Sequence, residues 1–426
     1  MKNLNLKVMP PFYPSKTLLY LIFLFLFSCK RNLEPAESEE VRDSRRLVQI
    51  IEDSLKGKGI GYSFIVSKKG VVVGSGVGGF QSRSVEYTGE KPVTLDTRMQ
   101  IASMSKTITA VAFIMLARQK RISTADRIID FLPAGWKAGP GVDRIIFKDL
   151  LTHRSGIVGL GEICQNGSYS ENYWFGLKQL IAKGVKPENY GNSCYQNANF
   201  GLFRVLIPSM MGYKFTGVDM VDDQATQTMY LEYVRDNITS HAGINSPELL
   251  NNLVDSPTFG YDQPYEANTT GFNPGNFYAT AGAYGFYLSA KEAIALYSTI
   301  FSSEDQSVLN TALKDSILSK GLGSYSALTP QGQFYYHDGL WYSNYGNGDY
   351  KGFRSIWMKG PDETLVVLFT NSLRHGDGLF PIKSNNYFDI SSYLLWCFSE
   401  VYNPNRNARM ESQVNYQIYL SDPKPH

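Results

Sequence analysis

The chain is poor in the residues that build metal centres: its 426 residues include only five histidines and four cysteines. No H-E-x-x-H string occurs and no two cysteines form a C-x-x-C pair, so no metal site is expected. The G-x-S-x-G elbow of α/β-hydrolases is missing as well. Charge is scarce and balanced, with 19% charged residues and a net charge of +2. Without a basic cluster beyond the N-terminal segment, there is no electrostatic case for nucleic acid. The apolar run Leu18 to Phe27 falls short of the roughly 20 residues that a standard membrane helix needs. What remains, at 43% hydrophobic residues, is an ordinary globular chain able to bury one large core or two lobes.

Against that background one tetrapeptide stands out. Ser103-Met104-Ser105-Lys106 puts a hydroxyl and an amine three residues apart. The run that follows, Thr107 to Ala117, is apolar on almost every side, the pattern of a helix buried in a domain interior. On such a helix residues 103 and 106 share a face. Ser103 is expected in the first turn, where unpaired N–H groups and the positive end of the helix dipole favour a developing oxyanion. Lys106, a turn deeper, is expected to be desolvated, which disfavours its ammonium form and leaves an amine able to take the serine proton. Alone the string is weak. Roughly one or two S-x-x-K matches arise by chance in a chain of this length and content, and a serine at that position also serves as a helix cap.

Several further segments follow in a telling order. Asp96 to Thr107 leads into the Ser103 helix, and Leu150-Leu-Thr-His-Arg-Ser-Gly156 comes after it. Tyr195-Gln196-Asn197 opens another helical run, and Ala281-Gly-Ala-Tyr-Gly285 with Leu288-Ser-Ala-Lys-Glu292 precedes a further one. His337-Asp338-Gly339, then Gly352-Phe-Arg-Ser355 and Thr370-Asn371, close the series. In this order they resemble the motifs of the serine beta-lactamase and penicillin-binding-protein superfamily, in its class C-related branch, which also holds esterases, D-aminopeptidases and DD-peptidases. The matches run from about Gly59 to Asn371.

The resemblance implies roles for individual residues. Ser103 is the expected nucleophile and forms an acyl-enzyme, Lys106 is its activating base, and Tyr195 shuttles a proton to the leaving group and helps activate water. Asn197 is expected to bind substrate or orient Lys106. His337 is expected to line a strand edge and contact Tyr195 or substrate. The oxyanion hole would join the backbone N–H of Ser103 with that of Leu340, the residue after Gly339. His153 is expected to hold a loop rather than do chemistry.

Two departures from the family pattern stand out. A second Y-x-N string, Tyr342-Ser343-Asn344, follows His337; chain order favours Tyr195, and Leu340 to Tyr350 reads as an inserted aromatic loop beside the cleft. The third motif also carries histidine instead of lysine, and a histidine is mostly neutral near pH 7. That weakens the case for penicillins as natural substrates. The implied activity is that of an exported serine hydrolase cleaving an amide or ester bond, in a peptidoglycan-type or D-amino-acid peptide, an ester or a beta-lactam, without a cofactor. The alternative is a catalytically silent sensor or binding protein that keeps the cleft.

Lysines 2, 7 and 16 ahead of Leu18 to Phe27 read as a signal peptide. Leu26-Phe27-Ser28-Cys29 resembles a bacterial lipoprotein processing site, so residues 1–29 read as a signal peptide with that site, and Cys29 would be lipidated, become the mature N-terminus and hold the protein on a bacterial membrane in the cell envelope, in the periplasm or at the outer membrane. Cleavage by ordinary signal peptidase is the other option. Lys30 to Arg46 reads as a flexible tether, residues 47–402 as the catalytic domain, and 403–426 as a polar tail. In an oxidising compartment Cys164 and Cys194 either form a disulfide clamping the intervening loop or stay as two buried thiols.

Strand-like runs at Tyr62 to Val66, Val71 to Val77, Gln333 to Leu340, Ser355 to Met358 and Leu365 to Thr370 bracket helical signals from Ser103 to about Ile300, and Ile390 to Val401 reads as a closing amphipathic helix. Gly74 to Gly79 reads as a glycine-rich hairpin rather than a phosphate loop. The expected architecture is an α+β fold: one antiparallel sheet built from both chain ends and flanked by helices, with an inserted all-helical lobe and Ser103 in the cleft between.

Overall fold

The computed structural model describes residues 39–165, 169–249, 257–344, 350–375, 380, 383–384, 387–388 and 390–401. The expected signal peptide, most of the tether and the polar tail lie outside the described residues. The chain divides into two units, Met1–Arg42 and Asp43–His426. Of the first, only the opening residues of helix α1 (Glu39–Leu55) are described. That helix overlaps the last part of the expected tether. Its physical basis is the spacing of Leu47, Ile50, Ile51 and Leu55, all buried on one face.

The main sheet has seven strands: β1 (Tyr62–Lys68), β2 (Val71–Gly78), β3 (Tyr261–Gln263), β4 (Tyr325–Thr329), β5 (Gly332–Asn344), β6 (Tyr350–Lys359) and β7 (Thr364–Thr370). Its order is β2-β1-β7-β6-β5-β4, with β3 paired to the start of β6, and every pair is antiparallel. The N-terminal hairpin thus joins the C-terminal strands through Tyr62↔Thr370 to Lys68↔Thr364. The sheet is assembled from the two ends of the domain, as the late return of strand-like runs implies.

Alternation sorts the strand side chains onto two layers. Tyr62, Phe64, Val66, Phe334, Tyr336, Ile356 and Leu368 face a core closed by α1 and by α10 (Ile390–Val401). On the other face Ile65, Phe353, Trp357, Val367 and Phe369 meet a larger core containing α2 (Ser105–Lys120) and α8 (Ala290–Phe301). The Trp357 ring stands 5.6 Å from Tyr297 and 4.6 Å from Phe301, and its indole N–H donates to Thr107 Oγ1 at 3.1 Å. Helix α10 is buried nearly all round rather than on a single stripe.

The glycine-rich run proves to be strand β2. A Cβ at Gly74 would strike Val48, one at Gly76 the Phe64 ring and one at Gly78 the Tyr62 ring. Bare backbone on that face is what lets α1 and two aromatic rings lie flat against the sheet.

Helices α3 (Phe147–Leu151), α4 (Trp174–Lys183), α5 (Asn197–Gly201), α6 (Phe203–Met211) and α7 (Asp219–Asn237) form the inserted lobe. Its centre is a chain of rings: Phe113 of α2 lies 4.5 Å from Phe147 and 5.2 Å from Phe203. Helix α2 therefore lies between the sheet and the lobe inside one continuous core, which accounts for its apolar character on every side.

One expectation is corrected. Leu340 to Asn344 and Tyr350 are strand, not an inserted loop: β5 and β6 stay paired out to Tyr350↔Asn344. Alternation explains it, because Trp341 is 8% exposed against Phe272 at 5.5 Å and Phe277 at 5.7 Å, while neighbouring Tyr342 is 47% exposed. Strand β3 supports the extension by pairing Tyr261↔Gly352. Residues 345–349 of the expected loop lie outside the described residues.

Candidate active site

Ser103 does not sit in the α-helix itself but in a 3-10 turn, Ala102–Met104, that runs directly into α2. The turn is entered through Ala102 at φ 44°, a left-handed conformation that costs a non-glycine residue of order 1–2 kcal/mol. Its surroundings hold it there. Gln100 Oε1 accepts from the Ala102 N–H at 3.1 Å, Ser105 Oγ donates to the Ala102 carbonyl at 2.7 Å, and Ser355 Oγ donates to the Ile101 carbonyl at 2.7 Å. Tyr297 adds a bond to the Met104 carbonyl at 3.0 Å.

The turn leans on β5 at Gly339. A Cβ there would collide with the Ile101 carbonyl, Ser355 Oγ and Ala102. Only glycine allows the serine-bearing turn to reach the strand. Strand β4 covers the outer edge of β5 only from Gly332 to Tyr336. Among the described residues no strand pairs with that edge from His337 onward, so Gly339 and Leu340 border an open strip of backbone beside Ser103.

Lys106 is wholly buried. Its Nζ stands 2.9 Å from Ser103 Oγ, 2.8 Å from Asn197 Oδ1 and 2.9 Å from the Ala283 carbonyl. Three rings surround it, with centroids at 5.0 Å for Tyr195, 5.8 Å for Phe200 and 5.9 Å for Tyr284. Tyr195, from the opposite wall, donates its hydroxyl to Ser103 Oγ at 2.6 Å. Burial pushes the Tyr195 phenol well above its ordinary value; the Ser103 bond works against this and the Asp338 charge adds to it. Ser103, Lys106, Tyr195 and Asn197, spread over the sequence, converge on one point.

Asn197 reaches Lys106 from the first position of α5. The element Leu150 to Gly156 explains how that helix is held. His153 is buried at φ 56°, its carbonyl accepts from the Cys194 N–H at 2.8 Å, and its Nδ1 accepts from the Gln196 N–H at 3.2 Å. Its ring lies 4.4 Å from that of Tyr195. Burial, then the charges of Lys106 and His337, hold the imidazole well below its ordinary value, so it is neutral and able to accept. Ser155 donates to Asn199 Oδ1 at 2.6 Å. Cys164 and Cys194 form a disulfide across this region, while Cys397 is a buried free thiol.

His337 is 2% exposed. Its Nδ1 lies 2.7 Å from the Asp338 carbonyl, which can only accept, so that nitrogen carries a proton. Its ring packs 5.0 Å from Tyr325. Two tyrosines escape sequence reasoning: Tyr284 beside Lys106, and Tyr325 beside His337. Burial raises both phenols first of all, and both feel the Tyr195 phenol. With 28 tyrosines in the chain, no local string marks Tyr325, and Tyr284 lies inside Ala281-Gly-Ala-Tyr-Gly285 without being singled out by it. Ser105 and Ser355, which brace the Ser103 turn, carry no signal of their own.

Comparison with known proteins agrees with this geometry. Residues 47–380 match the model of the Beta-lactamase family. The chain is 23% identical over 325 residues to a protein of Bacillus subtilis (strain 168) named "Putative penicillin-binding protein PbpX", covering 76% of this chain and 73% of that one. Among solved structures it superposes on a beta-lactamase/D-alanine carboxypeptidase from Pseudomonas syringae with a TM-score of 0.61 at 17% identity, covering 85% of this chain and 100% of that one. A D-amino acid amidase from Ochrobactrum anthropi SV3, solved with L-phenylalanine, gives 0.60 at 15% identity with the same coverages, 85% and 100%.

Proposed function

The chain belongs to the beta-lactamase family and is of the serine-hydrolase kind, and from that premise we propose that it cleaves an amide or ester bond through an acyl-enzyme on Ser103. The observation that carries the reading is the meeting of Lys106 Nζ and the Tyr195 hydroxyl on Ser103 Oγ, at 2.9 and 2.6 Å. In this scheme Lys106, as a neutral amine, takes the serine proton while Oγ attacks the carbonyl carbon. The tetrahedral oxyanion is received by the N–H groups of Ser103 and Leu340, the second on the open edge of β5. Tyr195, kept protonated by burial, hands its proton to the leaving nitrogen or oxygen and is resupplied from Lys106. Water then attacks the ester, with the same pair as its base, and frees Ser103.

The substrate class follows the family's range: a peptidoglycan-type or D-amino-acid peptide, an ester, or a beta-lactam. The carboxypeptidase and amidase that share the fold support the first two. A chromogenic ester, a D-Ala-D-Ala peptide and nitrocefin, each followed by turnover and by adduct mass on Ser103, test the proposal. Turnover that Ser103→Ala reduces by about 10⁵-fold or more is expected. A permanent adduct or none at all, with no turnover, would establish a sensor instead.

The proposal extends to export and lipid attachment at Cys29. The Cys164–Cys194 disulfide supports it, because such bonds persist in oxidising compartments. Labelling with a fatty-acid analogue in bacterial cells should mark the wild-type chain and not Cys29→Ser; equal labelling would refute attachment there.

A further inference from the structure

Ser103 and Lys106 are fixed by a 3-10 turn and the buried helix it runs into, but Tyr195 stands on a segment, residues 184–196, that contains neither helix nor strand. Its place depends on a few ties. His153 accepts from the N–H groups on either side of it and stacks on its ring. The residue before it is cross-linked to Cys164. The residue after it, Gln196, is 2% exposed and donates from Nε2 to the Gln165 carbonyl at 2.5 Å. Both latter ties run to one short stretch, residues 164–165. That stretch is anchored from behind, where Lys183 Nζ donates to the Gly159 carbonyl at 2.8 Å and Glu171 accepts from the Leu160 N–H at 3.1 Å. The two cysteines differ in exposure. Cys194 is 3% exposed, whereas Cys164 is only half-buried and stands between Ile163, 68% exposed, and exposed Gln165.

We propose that the Cys164–Cys194 disulfide and the Gln196–Gln165 contact are positioning elements for the Tyr195 phenol, so that reducing the disulfide turns catalysis down and re-forming it turns catalysis up. This rests on the reading of Tyr195 as proton carrier. A dithiol reductant acts at the more exposed cysteine: its thiolate attacks Cys164 Sγ, the S–S bond breaks, and Cys194 leaves as a thiolate. The second thiol of the reagent then displaces Cys164 from the mixed disulfide. Two electrons and two protons pass to the protein, and the reagent departs as its cyclic disulfide. With the cross-link gone, residue 194 keeps its backbone bond to His153 and the 3.8 Å contact of its sulfur with Gln196 Nε2, neither of which ties it to residue 164. The phenol then samples positions away from the 2.6 Å contact with Ser103, and a displacement of about 1 Å in such a group can cost up to about 100-fold in rate.

The experiment uses the full chain and a chromogenic ester. The protein is reduced with dithiothreitol, desalted without air, and the gain of two protons confirmed by intact mass. The expected result is a fall in kcat of about tenfold or more with KM changed by less than about twofold, restored on reoxidation by an added small-molecule disulfide, oxidised glutathione, which takes up the two electrons and two protons as two thiols. In a Tyr195→Phe background the same reduction should change the residual kcat by less than about twofold, because the group being positioned is already gone. An unchanged kcat after verified reduction, or an equal loss in both backgrounds, overturns the inference. Should reduction unfold the chain, Gln196→Ala, which retains the disulfide, carries the test: a drop of about threefold is expected only while Tyr195 is present. No drop, or the same drop in both backgrounds, overturns it. Turnover surviving Ser103→Ala would sink the acyl-enzyme reading itself, whereas Ser103-dependent turnover indifferent to both perturbations sinks only this inference.

Discussion

The two walls of the cleft are built on different principles. On one, Ser103 and Lys106 are three residues apart where a 3-10 turn runs into a helix whose side chains are buried from Ser105 to Ala117 with the single exception of Met115, and their separation is set by that continuous helical path. On the other, Tyr195 and Asn197 are delivered by an irregular segment and a short helix, held by a disulfide, a neutral imidazole and one amide. The first wall owes its precision to the core of the protein. The second owes it to a handful of polar and covalent ties around Tyr195 and the start of the Asn197 helix. Damage to the first should therefore abolish chemistry, and damage to the second should grade it.

The largest effect is expected for Lys106→Met, which keeps the buried apolar stem and removes the amine. Acylation of Ser103 should fall by about 10³–10⁴-fold, followed as the rate of adduct formation by mass, with the thermal midpoint little changed. Near-normal acylation would deny Lys106 its role as base. Next comes Tyr195→Phe, which preserves the ring against His153 and deletes the hydroxyl. A drop of about 100-fold in kcat is expected, with acyl-enzyme accumulating on Ser103. A loss as large as that of Lys106→Met would erase the contrast between the walls.

The smallest effect concerns stability. The folded His153 imidazole stays neutral, its proton affinity held below the ordinary value of 6.5, while the unfolded chain takes up a proton as pH falls through that value. Stability is therefore fully present above it and is lost below it, by up to about 1.4 kcal/mol per pH unit for this one group. His153→Asn, a residue that tolerates the left-handed backbone there, should flatten that acid slope in urea unfolding measured from neutral to mildly acidic pH. Identical slopes for the two proteins would show that His153 does not carry it.

The same contrast governs what could be read from the chain. The Ser103–Lys106 relation is local and periodic, so a tetrapeptide and its apolar sequel suffice to draw it. Gly339 is legible as a motif, but its cause, contact with the Ile101 carbonyl, is a tertiary fact. The extension of β5 past Leu340 hides because Trp341 and Tyr342 alternate for too short a distance to register a period. Strand β3, at three residues, leaves no pattern at all. Tyr284 sits in a quoted string, but its place beside Lys106 is a contact far along the chain that the string does not state, and Tyr325 reaches His337 from the neighbouring strand with nothing beside it in sequence to foretell it. For the cysteines, adjacency to Tyr195 suggested a clamp without deciding between bond and thiols; coordinates decide it.

The glycine-faced strand β2 has a mechanical meaning. Because Gly74, Gly76 and Gly78 let α1 settle deeply against Tyr62 and Phe64, a pull on the N-terminal end of the domain is taken up by the layer on the far side of the sheet from Ser103. Disturbance of α1 therefore acts first on the layer behind the sheet, with the paired strands standing between it and the two cleft walls.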